Sequence, residues 1–400
     1  MMVLYGLGTT IGAGIYALVG ELAGIAGYFA PAAFLIASLM ATLTAMSFAE
    51  LSGRFPRAAG AALYVQEGFS SKGIAATIGL LVITAGLVSS AALINGFVGY
   101  LNQFIDIGRV PAITATAVLL GSVAGWGITT SVALASIITV VEIGGLLLVV
   151  FVSIVNLSPE AEFTAALLPS LDLSHWGSIF AGSLLAFYAF IGFEDMVDVA
   201  EEVKDVKRNL PAAILITLAI TTLLYLAIMI TAVLAVSPEV LASTEAPMAF
   251  LYQHFTGREP IVISVIGLLA IINGALIQII MASRVIYGLA SRSQLPAIFS
   301  RVNPKTKTPL LATTAATTIV LSLALAGHLS ILAESTSFIM LCIFSMVNLA
   351  LLRIKRKCPQ TQGSINFPIA IPLAGFVVSL GFLLLTLFSA TTSWVQGTSN

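Results

Sequence analysis

Long apolar runs separated by short polar segments dominate the chain. A helix needs about 20 mainly apolar residues to cross the hydrocarbon core of a bilayer. By that measure the pattern predicts about eleven membrane-spanning helices, which we number in chain order: 3–26, 30–53, 74–101, 111–126, 131–155, 176–203, 211–235, 260–291, 309–327, 330–352 and 368–391. The runs are too long for the alternating strands of a membrane β-barrel. We therefore expect an all-α polytopic membrane protein.

The composition agrees with this interpretation. Hydrophobic residues make up 58% of the 400 residues and charged residues only 9%, whereas a soluble domain has about 25% charged residues. Such a chain cannot cover a water-facing surface, which excludes a disordered protein, a nucleic-acid binder and an ordinary cytosolic enzyme. Cys342 and Cys358 cannot form a disulfide framework. The chain has no HExxH or paired CxxC motif, so we expect no metal site.

The basic residues predict the orientation of the helices, because cytoplasmic loops are rich in Lys and Arg. With eleven spans, one side of the membrane has only Arg109 and Arg258. The other side has fifteen of the seventeen basic residues: Arg54, Arg57, Lys72, Lys204, Lys207, Arg208, Arg284, Arg292, Arg301, Lys305, Lys307, Arg353, Lys355, Arg356 and Lys357. We therefore expect a multi-pass protein of the cell membrane with a cytoplasmic N-terminus.

In two of the predicted spans the sequence indicates that the helix is interrupted. In span one the sequence Gly-Leu-Gly-Thr-Thr-Ile-Gly-Ala-Gly ends at Gly14, and each glycine costs a helix about 1 kcal/mol relative to alanine. We expect a break near Gly12. In span six Gly192 is followed closely by Glu194 and Asp195, and acids favour the start of a helix. We expect a break around Gly192 and a second half-helix from Glu194.

The two expected breaks lie five spans apart. Because five is an odd number, spans 1–5 and spans 6–10 begin on opposite sides of the membrane. This predicts a five-plus-five inverted repeat, with residues 1–155 and 176–352 as the two halves and 368–391 as an additional helix. Interrupted helices in matching positions point to the binding site of a transporter. The glycines could instead serve close helix packing. They do not fit a dinucleotide-binding motif, because Gly6, Gly8 and Gly12 miss the GxGxxG spacing.

At these residues the sequence resembles the amino acid–polyamine–organocation (APC) superfamily of permeases. The resemblance rests on segments that follow the family's order over most of the chain: Ile11–Tyr16, Phe48–Gly60, Phe187–Glu202, Ser283–Ala290 and Asn303–Pro309. It implies alternating access with an α-amino acid held at the bilayer midplane. The family usually has a hydrophilic tail before span one and twelve spans, whereas this sequence begins almost at span one and has eleven.

The resemblance also implies which residues bind the amino acid. The substrate carboxylate would meet the N–H groups of Ala13 and Gly14, at the positive end of a half-helix. The ammonium would meet main-chain carbonyls of the residues Thr10, Tyr188, Ala189 and Ile191. In the family an aromatic residue at or near Tyr188 and Phe190 often acts as an outer lid. Charged side chains near this pocket are few, so a substrate with a neutral side chain is modestly favoured over a cationic one.

Glu142 is the candidate for energy coupling. It lies near the middle of span five, where an ionisable side chain costs roughly 3 kcal/mol on insertion scales and usually faces the bundle interior. In several proton-coupled relatives a lysine fills the matching position. We therefore predict that Glu142 contacts the Gly6 region and Ser283 and couples protonation to opening. A static hydrogen bond between helices and a bound sodium ion are the alternatives.

An inner gate is the last predicted feature. Glu201 or Glu202 would pair with Arg54 or Arg57 when the cytoplasmic side is closed; the alternative is a solvated helix end.

The function predicted from these observations is amino acid/proton symport by a secondary transporter, without a cofactor other than the coupling ion. An exchanger, an uncoupled facilitator and a non-transporting amino acid sensor remain alternatives. An intramembrane enzyme is disfavoured because the spans have no paired aspartates and no Ser/His pair. The expected partners are a small amino acid and the lipid bilayer, with no nucleic acid; the sequence leaves the oligomeric state open.

Overall fold

The computed structural model describes residues 2–57, 60–105, 107–126, 132–157, 173–291, 295–360 and 365–397. In these ranges the chain forms fifteen α-helices: α1 Met2–Thr10, α2 Ala13–Ala26, α3 Ala30–Arg54, α4 Gly60–Phe69, α5 Lys72–Leu101, α6 Arg109–Trp126, α7 Val132–Asn156, α8 Leu173–Tyr188, α9 Val206–Ala235, α10 Pro238–Ala242, α11 Pro247–Thr256, α12 Ile261–Ser291, α13 Leu310–Ala326, α14 Leu329–Lys357 and α15 Ala370–Gly397. Short 3₁₀ helices cover Gly27–Phe29, Phe193–Glu202 and Ala297–Ser300.

The described helices confirm an all-α polytopic membrane protein. Nine segments in the described ranges are long and apolar enough to cross a membrane. The first of them, Gly14–Arg54, covers two predicted spans, and α13 is a shorter apolar helix at the position of predicted span nine. Each of the eleven predicted segments therefore coincides with helix in the structure. Their backbone groups pair within each helix, as the bilayer interior requires.

The first membrane-spanning helix is interrupted, as the sequence predicts. Helix α1 ends at Thr10 and α2 begins at Ala13. Gly12 occupies the position before α2, and no side chain there forms a hydrogen bond to the first turn of α2. The N–H groups that open α2 are therefore left without a capping side chain, although helix starts require some partner outside the helix.

The sixth membrane-spanning helix is also interrupted, but the segment after the break differs from the expected α-helix. Helix α8 ends at Tyr188, a turn comes next, and Phe193–Glu202 form a 3₁₀ helix with a kink at Val199. This segment contains two valines and two aspartates, residue types with low α-helix propensity. The expectation of a regular half-helix starting at Glu194 was therefore wrong.

The packing of the helices brings both breaks into the protein interior. Helix α3 lies along α9 and α8, α5 lies along α12 and α14, and α1 contacts both α7 and α9. Aromatic rings fill the space beside the second break, where Phe193 packs edge-on against Phe48 and also contacts Phe344. The two interrupted helices are thus enclosed by continuous ones.

A buried ion-pair network joins one end of α3 to the end of α14. Glu50 is fully buried, and its Oε1 accepts hydrogen bonds from Arg54 Nη2 at 2.7 Å and from Lys355 Nζ. Its Oε2 accepts a hydrogen bond from the N–H of Phe367 at 2.9 Å. Arg54 also donates to the carbonyl of Cys358 at 2.8 Å. The network fixes α3, α14 and the loop after α14 to one another.

Candidate functional site

A cavity lies between the two helix breaks. It measures about 540 Å³ including its opening to solvent. Its lining comes from the first break, the second break and the facing helices α5 and α12: Gly8, Thr9, Thr10, Gly12, Gly14, Ser89, Leu93, Tyr188, Ala189, Ile191, Asp195, Gly274, Ile277 and Gln278. Most of the residues that the sequence predicts for substrate binding are thus together at one cavity.

The first break supplies N–H donors. Ala13 and Gly14 are the first two residues of α2, so their N–H groups have no partner within the helix and lie at its positive end. Gly14 lines the cavity. A Cβ at Gly14 would lie 2.8 Å from the Cα of Ala189. A glycine at this position therefore lets the two breaks approach each other.

The second break requires glycine for a related reason. Gly192 has φ +127°, a conformation that residues with a side chain rarely adopt. A Cβ at Gly192 would overlap the carbonyl of Thr9. Its N–H donates a hydrogen bond to Glu194 Oε2 at 2.9 Å. The acid predicted to start a helix thus stabilises the turn that precedes it.

Tyr225 on α9 connects the two breaks. Its hydroxyl lies 2.9 Å from the carbonyl oxygen of Thr10 and 3.0 Å from that of Ala189. These are two of the four carbonyls predicted to meet the substrate ammonium. Because each carbonyl oxygen has two lone pairs, each can accept a second hydrogen bond. The tyrosine is fully buried, so it holds the two carbonyls at a fixed separation.

The remaining walls of the cavity are mixed in character. Tyr188 lines the cavity, and its hydroxyl forms a hydrogen bond with Ser89 Oγ on α5 at 2.9 Å. Leu93 and Ile277 supply apolar surface, and Gln278 supplies an amide. The carbonyl of Tyr188 accepts a hydrogen bond from the N–H of Ile191 at 3.1 Å. The lining therefore combines polar groups with apolar surface from α5 and α12.

Phe190, one of the two aromatic residues considered for a lid, lies elsewhere in the structure. It is 1% exposed and packs against Phe34 and Tyr225, with ring centroids 6.2 Å and 5.3 Å away. It is not among the residues that line the cavity. Of the two aromatic residues, Tyr188 lines the cavity. Phe190 lies in the turn after α8, and its ring packs in the protein core.

Glu142 is buried in α7, with 2% of its surface exposed. Its main-chain carbonyl accepts a hydrogen bond from the hydroxyl of Tyr16 at 2.8 Å. Within the described part of the chain, its Oε2 atom has no hydrogen-bond partner. Helix α7 packs against α1, and Tyr16 belongs to α2. Glu142 is therefore next to the helices that form the first break.

The contacts predicted for Glu142 with Ser283 and the Gly6 region are not made through hydrogen bonds in the described structure. Ser283 Oγ donates to the carbonyl of Ile280 on its own helix at 2.8 Å. The carbonyl of Gly6 accepts from Thr9 Oγ1 at 3.0 Å, again within one helix. Gly6 lies against α9 and Met196, because a Cβ there would meet Met196 and Thr217. Gly6 is thus a packing position.

Arg54, one of the residues predicted for the inner gate, has other partners in the described structure. Its guanidinium is bonded to Glu50 and to the loop after α14, because Glu50 lies one helical turn away on the same face. Arg57 is exposed, and the side chains of Glu201 and Glu202 lie outside the described structure.

Sequence reasoning missed Tyr225, Ser89 and Gln278. For Tyr225 a signal was present, because Thr217, Thr221 and Tyr225 recur every four residues on an otherwise apolar helix. Residues four apart share one helix face, so this polar row pointed to a feature inside the bundle. Ser89 and Gln278 gave no comparable signal.

Comparison with known proteins shows similarity over nearly the whole chain. A family model described as amino acid permease matches residues 2–399. The chain is 29% identical to the vacuolar cationic amino acid transporter 2 of Arabidopsis thaliana, over 90% of this chain and 60% of that protein. It is 24% identical to the branched-chain amino acid permease BcaP of Bacillus subtilis, over 92% and 82%. It is also 24% identical to the methylthioribose transporter of that bacterium, over 96% and 86%.

Coverage differs among these relatives. The chain spans about 60% of the length of the plant transporters but more than 80% of the two Bacillus proteins. The similarity thus covers the membrane-spanning region described above.

Proposed function

Since the chain belongs to the amino acid permease family, within the APC superfamily, we propose that it is a secondary transporter that moves amino acids across the membrane by alternating access. The observation that carries the proposal is the cavity enclosed by both helix breaks. A zwitterion needs donors on one side and acceptors on the other. Two broken helices supply both from the main chain, without a buried countercharge.

In this proposal the two ends of the amino acid meet different main-chain groups. The carboxylate accepts hydrogen bonds from the N–H groups that open α2, at Ala13 and Gly14, where the helix dipole favours an anion. The ammonium donates to the carbonyls of Thr10, Ala189 and Ile191, and the carbonyl of Tyr188 is a fourth possible acceptor. Irregular backbone is tolerated at membrane depth when it lines a cavity, which supports this assignment.

Alternating access needs the two breaks to respond together. The hydroxyl of Tyr225 contacts a carbonyl of each break, and Gly192 lies against Thr9. We propose that residues 1–155 and 176–352 form an inverted repeat and that the two broken helices move as one unit against the helices around them. The helix at 368–391 adds to this core.

We further propose that a proton is the coupling ion and that Glu142 carries it. The support is a carboxyl group buried within a span, with an oxygen that no described group satisfies, beside the first break. Intramembrane carboxyls of this kind commonly serve as proton relays. Exchange, uncoupled diffusion and sensing without transport are the competing functions, and sodium is the competing ion. The proposed location is the cell membrane, with the N-terminus in the cytoplasm.

The test uses the full-length protein purified into liposomes. An inward proton gradient should drive accumulation of a radiolabelled amino acid above its external concentration, and dissipation of the gradient with a protonophore should abolish it. Equilibration without accumulation would indicate a facilitator, and uptake only into liposomes preloaded with amino acid would indicate an exchanger. Binding without any uptake would overturn transport altogether. A sodium gradient at constant pH separates the two coupling ions.

A further inference from the structure

Asp195 adds an acidic residue to the lining of the cavity. Binding of a zwitterion by main-chain groups alone does not require such a residue. Asp195 lies in the 3₁₀ helix just after the second break. The residue is half-buried. Among the lining residues that the structure describes, it is the one with a formal charge. No described side chain forms a salt bridge with its carboxylate.

A carboxylate in this setting favours a cationic ligand. Removing an ion from water without a partner is costly, and the rest of the described lining has only neutral groups to offer. This charge indicates that a ligand with a cationic group in addition to its zwitterionic head fits here.

We propose that Asp195 selects amino acids whose side chain ends in a second cation, an ammonium or a guanidinium, by forming an ion pair with it. This inference rests on the proposed function, because it assumes that the breaks bind the α-amino and α-carboxyl groups. It replaces the expectation from the sequence that a neutral side chain is favoured. The ion pair forms only with the longer cationic side chain, since the α-ammonium is satisfied by the carbonyls.

The two neighbouring acids do not fit this role. Glu194 is engaged with the N–H of Gly192 through its Oε2 atom, at 2.9 Å. Asp198 is exposed and is not a lining residue of the cavity. It lies instead beside Gly60 at the start of α4, where a Cβ would come within 2.8 Å of Asp198 Oδ1. Asp198 is therefore a matched control: an acid one turn away that does not face the ligand.

The first experiment compares lysine with norleucine, which has the same carbon chain but lacks the terminal ammonium. Binding of each to the purified wild-type protein is measured by isothermal titration calorimetry. We expect lysine to bind at least about tenfold more tightly, because it alone can make a charge-assisted hydrogen bond to Asp195. Equal affinities, or tighter binding of norleucine, would overturn the proposal whatever the variants do.

The second experiment measures the same ratio in three variants. Asp195→Asn should lower the affinity for lysine about tenfold or more and leave norleucine nearly unchanged. Asp195→Glu should keep a preference for lysine, and Asp198→Asn should behave as the wild type. If Asp195→Asn does not fold, Asp195→Ser and Asp195→Glu provide the comparison.

The outcomes separate this inference from the proposed function. Failure of the wild type to bind any amino acid overturns the proposed function itself. An equal loss of lysine and norleucine in Asp195→Asn means that Asp195 binds the α-ammonium, which overturns side-chain selection while leaving amino acid binding intact. An equal effect of Asp198→Asn means that the preference comes from the general negative field, and this result also contradicts the role of Asp195.

Discussion

Glu50 and Glu142 are two glutamates with nearly the same burial and opposite surroundings. Glu50 is 0% exposed and has two cationic partners and a main-chain N–H. Glu142 is 2% exposed, and its Oε2 has no described partner. One carboxylate has several donors at a helix end, and the other has an oxygen without a described partner in the middle of α7.

The difference teaches that burial alone does not identify a functional acid. A buried carboxylate with several donors is held in one geometry and one charge state, because losing any partner leaves an uncompensated charge. A buried carboxyl with an unused oxygen can change its partner or take up a proton at a lower cost. We therefore assign Glu50 to structure and propose Glu142 for coupling.

Replacing Glu50 should have the largest effect. In Glu50→Gln, Lys355 and Arg54 lose their anionic partner while Lys355 stays buried, which should lower the free energy of unfolding by about 3–5 kcal/mol. Thermal unfolding in detergent, followed by size-exclusion chromatography of heated samples, measures the loss.

The control for that substitution is Glu50→Gln combined with Lys355→Met. The double variant removes both buried charges, and replacing a buried ion pair by an apolar group is often nearly neutral. It should regain most of the lost stability. A double variant as unstable as Glu50→Gln would contradict a structural ion pair.

Glu142→Gln should have a smaller effect on stability and a selective effect on transport. Glutamine has almost the same shape but cannot carry a proton, and no described hydrogen bond to Oε2 is lost, so we expect a change in unfolding free energy below about 1 kcal/mol. Accumulation driven by a proton gradient should fall to equilibration, whereas amino acid exchange should continue. Uptake into liposomes with and without an imposed gradient measures both.

A matched control for Glu142 is Glu21→Gln, which alters another acid in a membrane-spanning helix at a partly exposed position on α2. This variant should keep its response to the gradient. Proton-driven accumulation that persists at the wild-type level in Glu142→Gln would remove the contrast between the two buried glutamates.

Tyr16→Phe should have the smallest effect on transport. It deletes the hydrogen bond from Tyr16 to the carbonyl of Glu142 and leaves the carboxyl in place, at a cost of about 1 kcal/mol in unfolding free energy. We expect gradient-driven uptake to persist with a reduced rate. Tyr100→Phe is the matched control, because Tyr100 donates to the carbonyl of Tyr16 at 2.9 Å and makes no described hydrogen bond to Glu142. A larger loss of coupling in Tyr100→Phe would show that packing matters more than Glu142.

Much of the fold could be predicted because the bilayer imposes simple rules on sequence. Hydropathy located every span, and glycine located both breaks, since Gly192 needs a positive φ and Gly12 precedes a new helix. The 3₁₀ conformation of Phe193–Glu202 could not be predicted, because acids near a helix start favour α and 3₁₀ helix alike. The small helix α4 between spans two and three was also missed.

The sequence indicated the main-chain groups of the candidate site, but it did not indicate the side chains of Tyr225, Ser89 and Gln278. Thr10, Gly14, Ala189 and Ile191 follow from the breaks and the family resemblance. Tyr225 does not, because its partners lie 215 and 36 residues away and only the packing of α9 brings them together. The partners of Arg54 could not be predicted for the same reason, because the burial of Glu50 depends on Lys355, which lies 305 residues away.

The distance between Glu50 and Lys355 along the chain has a consequence for biogenesis. The two residues are 305 positions apart, and domains are synthesised from the N-terminus at about 5–20 residues per second. Lys355 is therefore synthesised roughly half a minute after Glu50. During that interval Arg54 is the only one of the two cationic partners of Glu50 that has been synthesised. The complete ion-pair network can therefore form only after α14 has been synthesised.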